Sequence, residues 1–219
     1  MSVTRREFVA GVSMAALAGL ACGVPVFSAF AQGAAPATVP AAELAEPSPL
    51  GDRVLGAENA PVTIIEYASM TCPHCAHFSQ ETFPKLKERY IDTGKVRFIF
   101  REFPLDALAA GASMLARCAD SDKYFPLVEL LFSTQAQWAV QKPLEPLFNV
   151  VKQAGFTEDT FKSCLANQKL LDGIQAVRDQ AANKLGVTST PTFFINGKRI
   201  PGALSIEEME KELQPYLKA

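Results

Sequence analysis

This sequence has no excess of basic residues, only two histidines and no internal repeat. The 21 Lys+Arg stand against 23 Asp+Glu. Without Arg5, Arg6 and Glu7 the ratio is 19 to 22, a mildly acidic surface that argues against nucleic acid as a partner. His74 and His77 crowd one segment with Cys72 and Cys75, and no second Cys/His cluster follows downstream to complete a closed four-ligand zinc site. On a helix His77 shares its face with Pro73 and His74 instead of converging with both sulfurs. A copper- or zinc-binding protein is the competing reading from another class; the missing ligands weigh against it, so neither metal nor cofactor is expected. The lack of any repeat excludes solenoids and arrays.

No uninterrupted membrane span is present either. The apolar run from Phe8 to Phe30 is broken by glycines and a proline, and it ends at the small-x-small pattern Ala29-Phe30-Ala31. With Arg5 and Arg6 before it, the run reads as a cleavable export signal over residues 1–31, which puts the mature chain in the periplasm. Thr4-Arg5-Arg6-Glu7-Phe8 resembles a twin-arginine signal; an ordinary secretory signal predicts the same compartment. Cys22 lies in a poor match to a lipoprotein box and leaves with the signal. Residues 32–50 are rich in Ala, Pro and Glu without an apolar period, which predicts a solvated tether. One domain is expected over 51–219.

Four cysteines then remain in an oxidising compartment: Cys72, Cys75, Cys118 and Cys164. Three pairings are formally open. Cys72 and Cys75 form the obvious local pair, which leaves Cys118 and Cys164, each on an apolar helical face, for each other. Such a bridge is worth roughly 4 kcal/mol on the chain-entropy model. Two separately buried free thiols are the alternative.

Pro61 to Tyr67 is short, β-branched and aromatic, and predicts a central strand leading towards Cys72. Pro73 suits a first helical position, Phe83, Leu86 and Tyr90 recur at helical spacing up to Thr93-Gly94, and Pro84 predicts a kink. Alternation over Lys95 to Phe103 predicts a second strand and completes a βαβ unit. Residues 105–186 read as an inserted helical block, with helices over 109–119, 126–134, 144–154, 157–166 and 170–185. Asn196-Gly197 between two short apolar runs signals a hairpin. Ser205-Ile206-Glu207-Glu208 has the form of a capping box opening a final helix.

If Cys72 sits past a strand end at the start of a helix, its sulfur meets unpaired backbone N–H groups that favour thiolate over thiol. His74 adds to that bias, and Cys75, one turn inward, serves as the resolving thiol. Cys72-Pro73-His74-Cys75, with Thr190-Pro191-Thr192-Phe193-Phe194-Ile195-Asn196-Gly197 far downstream, resembles the exported DsbA-like members of the thioredoxin superfamily. The resemblance spans roughly Pro61 to Leu217. It implies an α/β thioredoxin-like fold with an inserted helical subdomain, and a dithiol oxidase that gives its disulfide to reduced exported proteins and is reoxidised by a membrane partner of DsbB type. Also implied are a cis Pro191 beside the dithiol, a Thr190 backbone that pairs with substrate, and a Glu66 beneath the dithiol that handles protons; an ordinary strand-end carboxylate is the plainer reading of Glu66. Threonine before the cis-proline is common in the isomerase and reductase branch too, so the direction stays open. The tether is too short for a dimerisation domain, and a monomer is expected.

Overall fold

The computed structural model describes residues 38–218, apart from 41, 42 and 45. The expected signal segment and the first part of the tether lie outside the described residues. Five strands, Arg53–Leu55 (β1), Val62–Ala68 (β2), Val96–Glu102 (β3), Thr192–Ile195 (β4) and Lys198–Pro201 (β5), form one sheet in the order β1-β3-β2-β4-β5. Only β2 and β3 pair in parallel, as the two strands of the βαβ unit; the remaining pairings are antiparallel. Asn196 and Gly197, both at positive φ, turn the β4–β5 hairpin, and the Asn196 carboxamide accepts from the Thr63 backbone N–H at 2.8 Å.

The crossover from Ala68 to β3 is helical but not a plain α-helix. Pro73–His77 (α1) and Phe83–Leu86 (α2) alternate with wider π-helical turns over Phe78–Thr82 and Lys87–Ile91. Pro84 explains the first of these, since it has no N–H to donate and its ring clashes with the carbonyl four residues back. The wider turn makes room, and the Phe83 N–H reaches the Phe78 carbonyl.

Six helices separate β3 from β4: Ala107–Cys118 (α3), Tyr124–Ser133 (α4), Gln135–Trp138 (α5), Leu144–Val151 (α6), Glu158–Leu165 (α7) and Gln168–Lys184 (α8). Caps set their starts. Asp106 accepts from the Ala109 N–H, Asn167 from the Leu170 N–H, and Thr157 closes a capping box with Thr160. The first two caps begin α3 and α8 two residues earlier than apolar spacing alone suggests. Ile206–Leu217 (α9) follows the Ser205/Glu208 capping box. Cys118 at the end of α3 and Cys164 on α7 are bridged, with Cα atoms 6.2 Å apart.

Alternation along β2 sorts its side chains between two cores. Val62, Ile64 and Ala68 face the larger core, built with the crossover, the helical block and α9; Ile65 and Tyr67 face a smaller one under α8. Period two therefore turns Glu66 into the larger core.

One expectation is corrected here. From Thr38 onward the stretch read as a solvated tether is docked: Thr38 bridges to Lys198, the Val39 N–H donates to the Gly197 carbonyl at 2.8 Å, and Val39 and Leu44 are buried in the smaller core. Arg101 on β3 holds it, donating to the carbonyls of Leu44 and Glu46, to both carboxylate oxygens of Asp52 and to the Tyr67 hydroxyl. Gly173 makes room for Leu50, whose side chain occupies the place a Cβ would need.

Replacing both bridged cysteines (C118A with C164A) should lower the unfolding free energy by roughly 4 kcal/mol in urea titrations. The ultraviolet titration of Cys72 should be unaffected, because the bridge lies in the helical block. Unchanged stability would mean the bridge contributes nothing.

Candidate active site

Cys72 caps α1 with an extended backbone (φ −78°, ψ 121°), and Pro73 follows at the first helical position. Its amide is used, donating to the Ser69 carbonyl at 3.0 Å, while its carbonyl accepts from the Ala76 N–H at 3.1 Å. The sulfur is thereby held at the helix start. Cys75 lies one turn inward and is fully buried, whereas the rim residue Cys72 keeps 6 % exposure, and both thiols are free.

Thr190, just ahead of β4, meets this dithiol from the strand that pairs with β2. The peptide bond before Pro191 is cis, and the Cys72 thiol donates to the Thr190 carbonyl at 3.2 Å. The buried Thr190 hydroxyl has no partner of its own in this neutral-thiol geometry. It is available to the sulfur once that sulfur ionises. The helical block fixes the loop from the other side. Gln135 on α5 donates to the carbonyls of Met70 (2.8 Å) and Cys72 (3.1 Å), and Asp106 accepts from the Thr71 hydroxyl at 2.7 Å while it caps α3. Sequence reading missed Gln135, Thr71 and Asp106; the first two carry no local signal, and Asp106 carries only that of a helix cap.

The electrostatics divide the two sulfurs. The Cys72 pKa falls from an ordinary 9.0 to about 5. The Cys75 thiol contributes most, burial works against it, and the Thr190 side chain and the backbone N–H groups of Cys75 and His74 add to the fall. Residue 74 acts here through its amide; its ring stands at the surface. Cys75 moves the other way, with burial, its hydrogen bond to the Cys72 sulfur and the nearby Glu66 charge all favouring the thiol. Glu66, 3 % exposed and with Oε1 unpartnered, is raised to about 8 by burial and then by the Cys72 charge. At neutral pH the arrangement is thiolate, thiol and carboxylic acid, which suits it to thiol–disulfide exchange. His77 is exposed, and among the described residues no three His, Cys, Asp or Glu side chains group around a metal position.

A depressed acidic pKa stabilises the reduced fold in full above the unfolded value of 9.0 and loses that stabilisation as pH falls through about 5. Ultraviolet titration of the reduced protein should therefore show a thiolate forming near pH 5. Cys75→Ala should raise that midpoint by about one to two units, since a hydrogen bond to a charged group is worth roughly 1.5–3 kcal/mol. A midpoint that stays put in the variant would remove the Cys75 thiol as the leading donor.

Comparison with known proteins agrees with this geometry. The thioredoxin family profile matches residues 49–214. The solved structure of alpha-DsbA1 from Wolbachia pipientis is 34 % identical, with a TM-score of 0.72 over 76 % of this chain and 91 % of that one. Oxidised BdbD from Bacillus subtilis is 26 % identical, with a TM-score of 0.70 over 79 % and 96 %. A relative from Rickettsia bellii, named for protein-disulfide oxidoreductase, is 34 % identical over 67 % of this chain; only 57 % of that protein's length is spanned, and 60 % of its Rickettsia felis counterpart. The chain belongs to the thioredoxin family and is similar in fold to its DsbA-like members.

Proposed function

We propose that this protein works as a periplasmic dithiol oxidase, donating a Cys72–Cys75 disulfide to reduced exported polypeptides. The observation that carries this reading is the opposite displacement of two neighbouring sulfurs, Cys72 towards thiolate and Cys75 towards thiol. A substrate thiolate attacks Cys72 Sγ, the Cys72–Cys75 bond breaks, and Cys75 leaves with the electron pair and takes up a proton. A second substrate thiolate then attacks the substrate sulfur bound to Cys72. Cys72 leaves as a stable anion, which favours this direction because low-pKa thiolates leave faster. The substrate dithiol loses two electrons, which end on the two sulfurs of the protein. Glu66, still protonated at neutral pH, supplies the proton that Cys75 needs.

Thr190 and the cis Pro191 present an edge along which an extended substrate segment adds as a strand. The protein is then reoxidised by a membrane partner of DsbB type. Disulfide isomerase or reductase is the alternative in the same chemistry, favoured by threonine at position 190.

At neutral pH a thiol with a pKa near 5 in place of 9.0 stabilises the reduced form by about 2 to 3 kcal/mol. That makes the couple more oxidising by about 60 mV than one with an ordinary thiol. Equilibration against glutathione should show this displacement. Oxidative refolding of a reduced substrate should outpace insulin reduction, and C72S should abolish both. A potential at or below that of an ordinary dithiol, with insulin reduction the faster activity, would reverse the assignment.

A further inference from the structure

Gln135 has one half of its carboxamide in use and the other half idle. It opens the short helix α5, which Trp138 anchors three residues on: the indole is fully buried and donates to the Leu131 carbonyl at 2.8 Å. From that fixed root the carboxamide nitrogen directs its N–H groups at the carbonyls of Met70 and Cys72. Only the nitrogen can face two carbonyls, so the orientation of the amide is set by its partners. The oxygen, Oε1, has no hydrogen-bond partner among the described residues, and the half-buried side chain leaves it open to solvent. A rigid, pre-oriented acceptor thus stands beside the Cys72 backbone.

We propose that Gln135 is a substrate-positioning residue, whose Oε1 accepts a backbone N–H of the reduced polypeptide on the side of Cys72 opposite to Thr190. This rests on the reading of the protein as a dithiol oxidase that takes an extended substrate segment. The Thr190 carbonyl touches the Cys72 sulfur at 3.2 Å, and the Gln135 nitrogen, from the helical block, touches the Cys72 carbonyl at 3.1 Å. Cys72 lies between them. In an extended segment successive backbone N–H groups point to opposite edges, so a chain that gives one N–H to Thr190 turns its neighbour's N–H towards the helical block. Pressed against the rim, that group is cut off from water and needs an acceptor. The Met70 carbonyl already accepts from Gln135, the Cys72 carbonyl from Gln135 and the Ala76 N–H, and the Asp106 carboxylate from Thr71 and the Ala109 N–H. Among these groups Oε1 is the one left free. The contact is with main chain and so is independent of substrate sequence. It holds the segment on both sides of the reacting sulfur, which favours an attack that depends on orientation.

The oxidised full-length protein is given a reduced two-cysteine peptide or dithiothreitol, which has no peptide N–H, and the ratio of the two oxidation rates is read. Either reductant loses two electrons to the Cys72–Cys75 bond. Peptides N-methylated one position at a time around the reacting cysteine remove single N–H groups and leave the protein untouched. Q135K keeps donors for the two carbonyls and removes the acceptor, whereas Q135E keeps an acceptor and removes the donors. Q135M, of similar length and without either group, replaces Q135K if the added charge prevents folding. With the unaltered protein one methylated position should lower the ratio about two- to tenfold, the worth of one neutral hydrogen bond. Q135K should lower the ratio by as much on its own, and methylation at that position should then lower it no further; in Q135E it should still be felt. Losses that add in Q135K, or a Q135K ratio equal to that of the unaltered protein, overturn the proposal and leave the oxidase reading standing. A merely structural Gln135 would lower both rates together, with methylation felt equally in every variant, which also overturns it. An unaltered protein that oxidises neither peptide nor dithiothreitol overturns both readings.

Discussion

Three acids, Glu66, Cys72 and Cys75, share a space that holds one negative charge. Burial alone disfavours ionisation of each, and the Cys72 charge raises the pKa of both Glu66 and Cys75. The charge goes where N–H, S–H and O–H donors converge, and that is the rim sulfur at the start of α1. Everything else in the fold can be read as fixing that allocation. The larger core keeps Glu66 and Cys75 dry, the helix start supplies amides, and the loop bearing Thr190 brings a hydroxyl.

The allocation is only as stable as the loop from Ser69 to Cys72, and this loop is held from outside the thioredoxin part. Asp106 and Gln135 both come from the helical block. Their block is in turn locked to the sheet by the buried pair of Arg117 with Glu102, to which the Tyr124 hydroxyl also donates. A buried pair of this kind is weak evidence for stability, since its desolvation cost rivals its attraction. Its value here is registry: it sets where α3 stands against β3, and hence where Asp106 arrives.

Much of this was legible in the sequence where the signal is local. The βαβ unit, the Asn196-Gly197 turn and the Ser205 capping box each depend on residues within a few positions of one another, and the structure forms all three. The dithiol and the stretch from Thr190 to Gly197 were legible as a pair of motifs. Illegible were contacts decided by tertiary packing. β1 is three residues long and owes its existence to β3. The segment from Thr38 lacks any apolar period because Arg101 fixes it by its carbonyls, which every sequence possesses. The short helix α5 and the two carbonyl contacts of Gln135 are of the same kind. The π-helical turns were half visible: Pro84 announces a disturbance, but not that the chain answers it with a wider turn instead of a bend.

Thr190 presents two groups to the same sulfur, and they favour opposite protonation states. Its carbonyl accepts from the Cys72 thiol and so suits the neutral form, while its hydroxyl, unpartnered in that geometry, suits the anion. In the proposed exchange Cys72 carries no proton, either in the disulfide or in the mixed disulfide, so the carbonyl is free at the moment a substrate strand needs an acceptor for its own N–H. One backbone oxygen thus accepts from the neutral thiol and, in the proposed complex, from the bound chain. Strand addition and sulfur chemistry are therefore coupled through a single atom. A residue at 190 with a different side chain leaves that coupling intact and changes only how readily the anion departs.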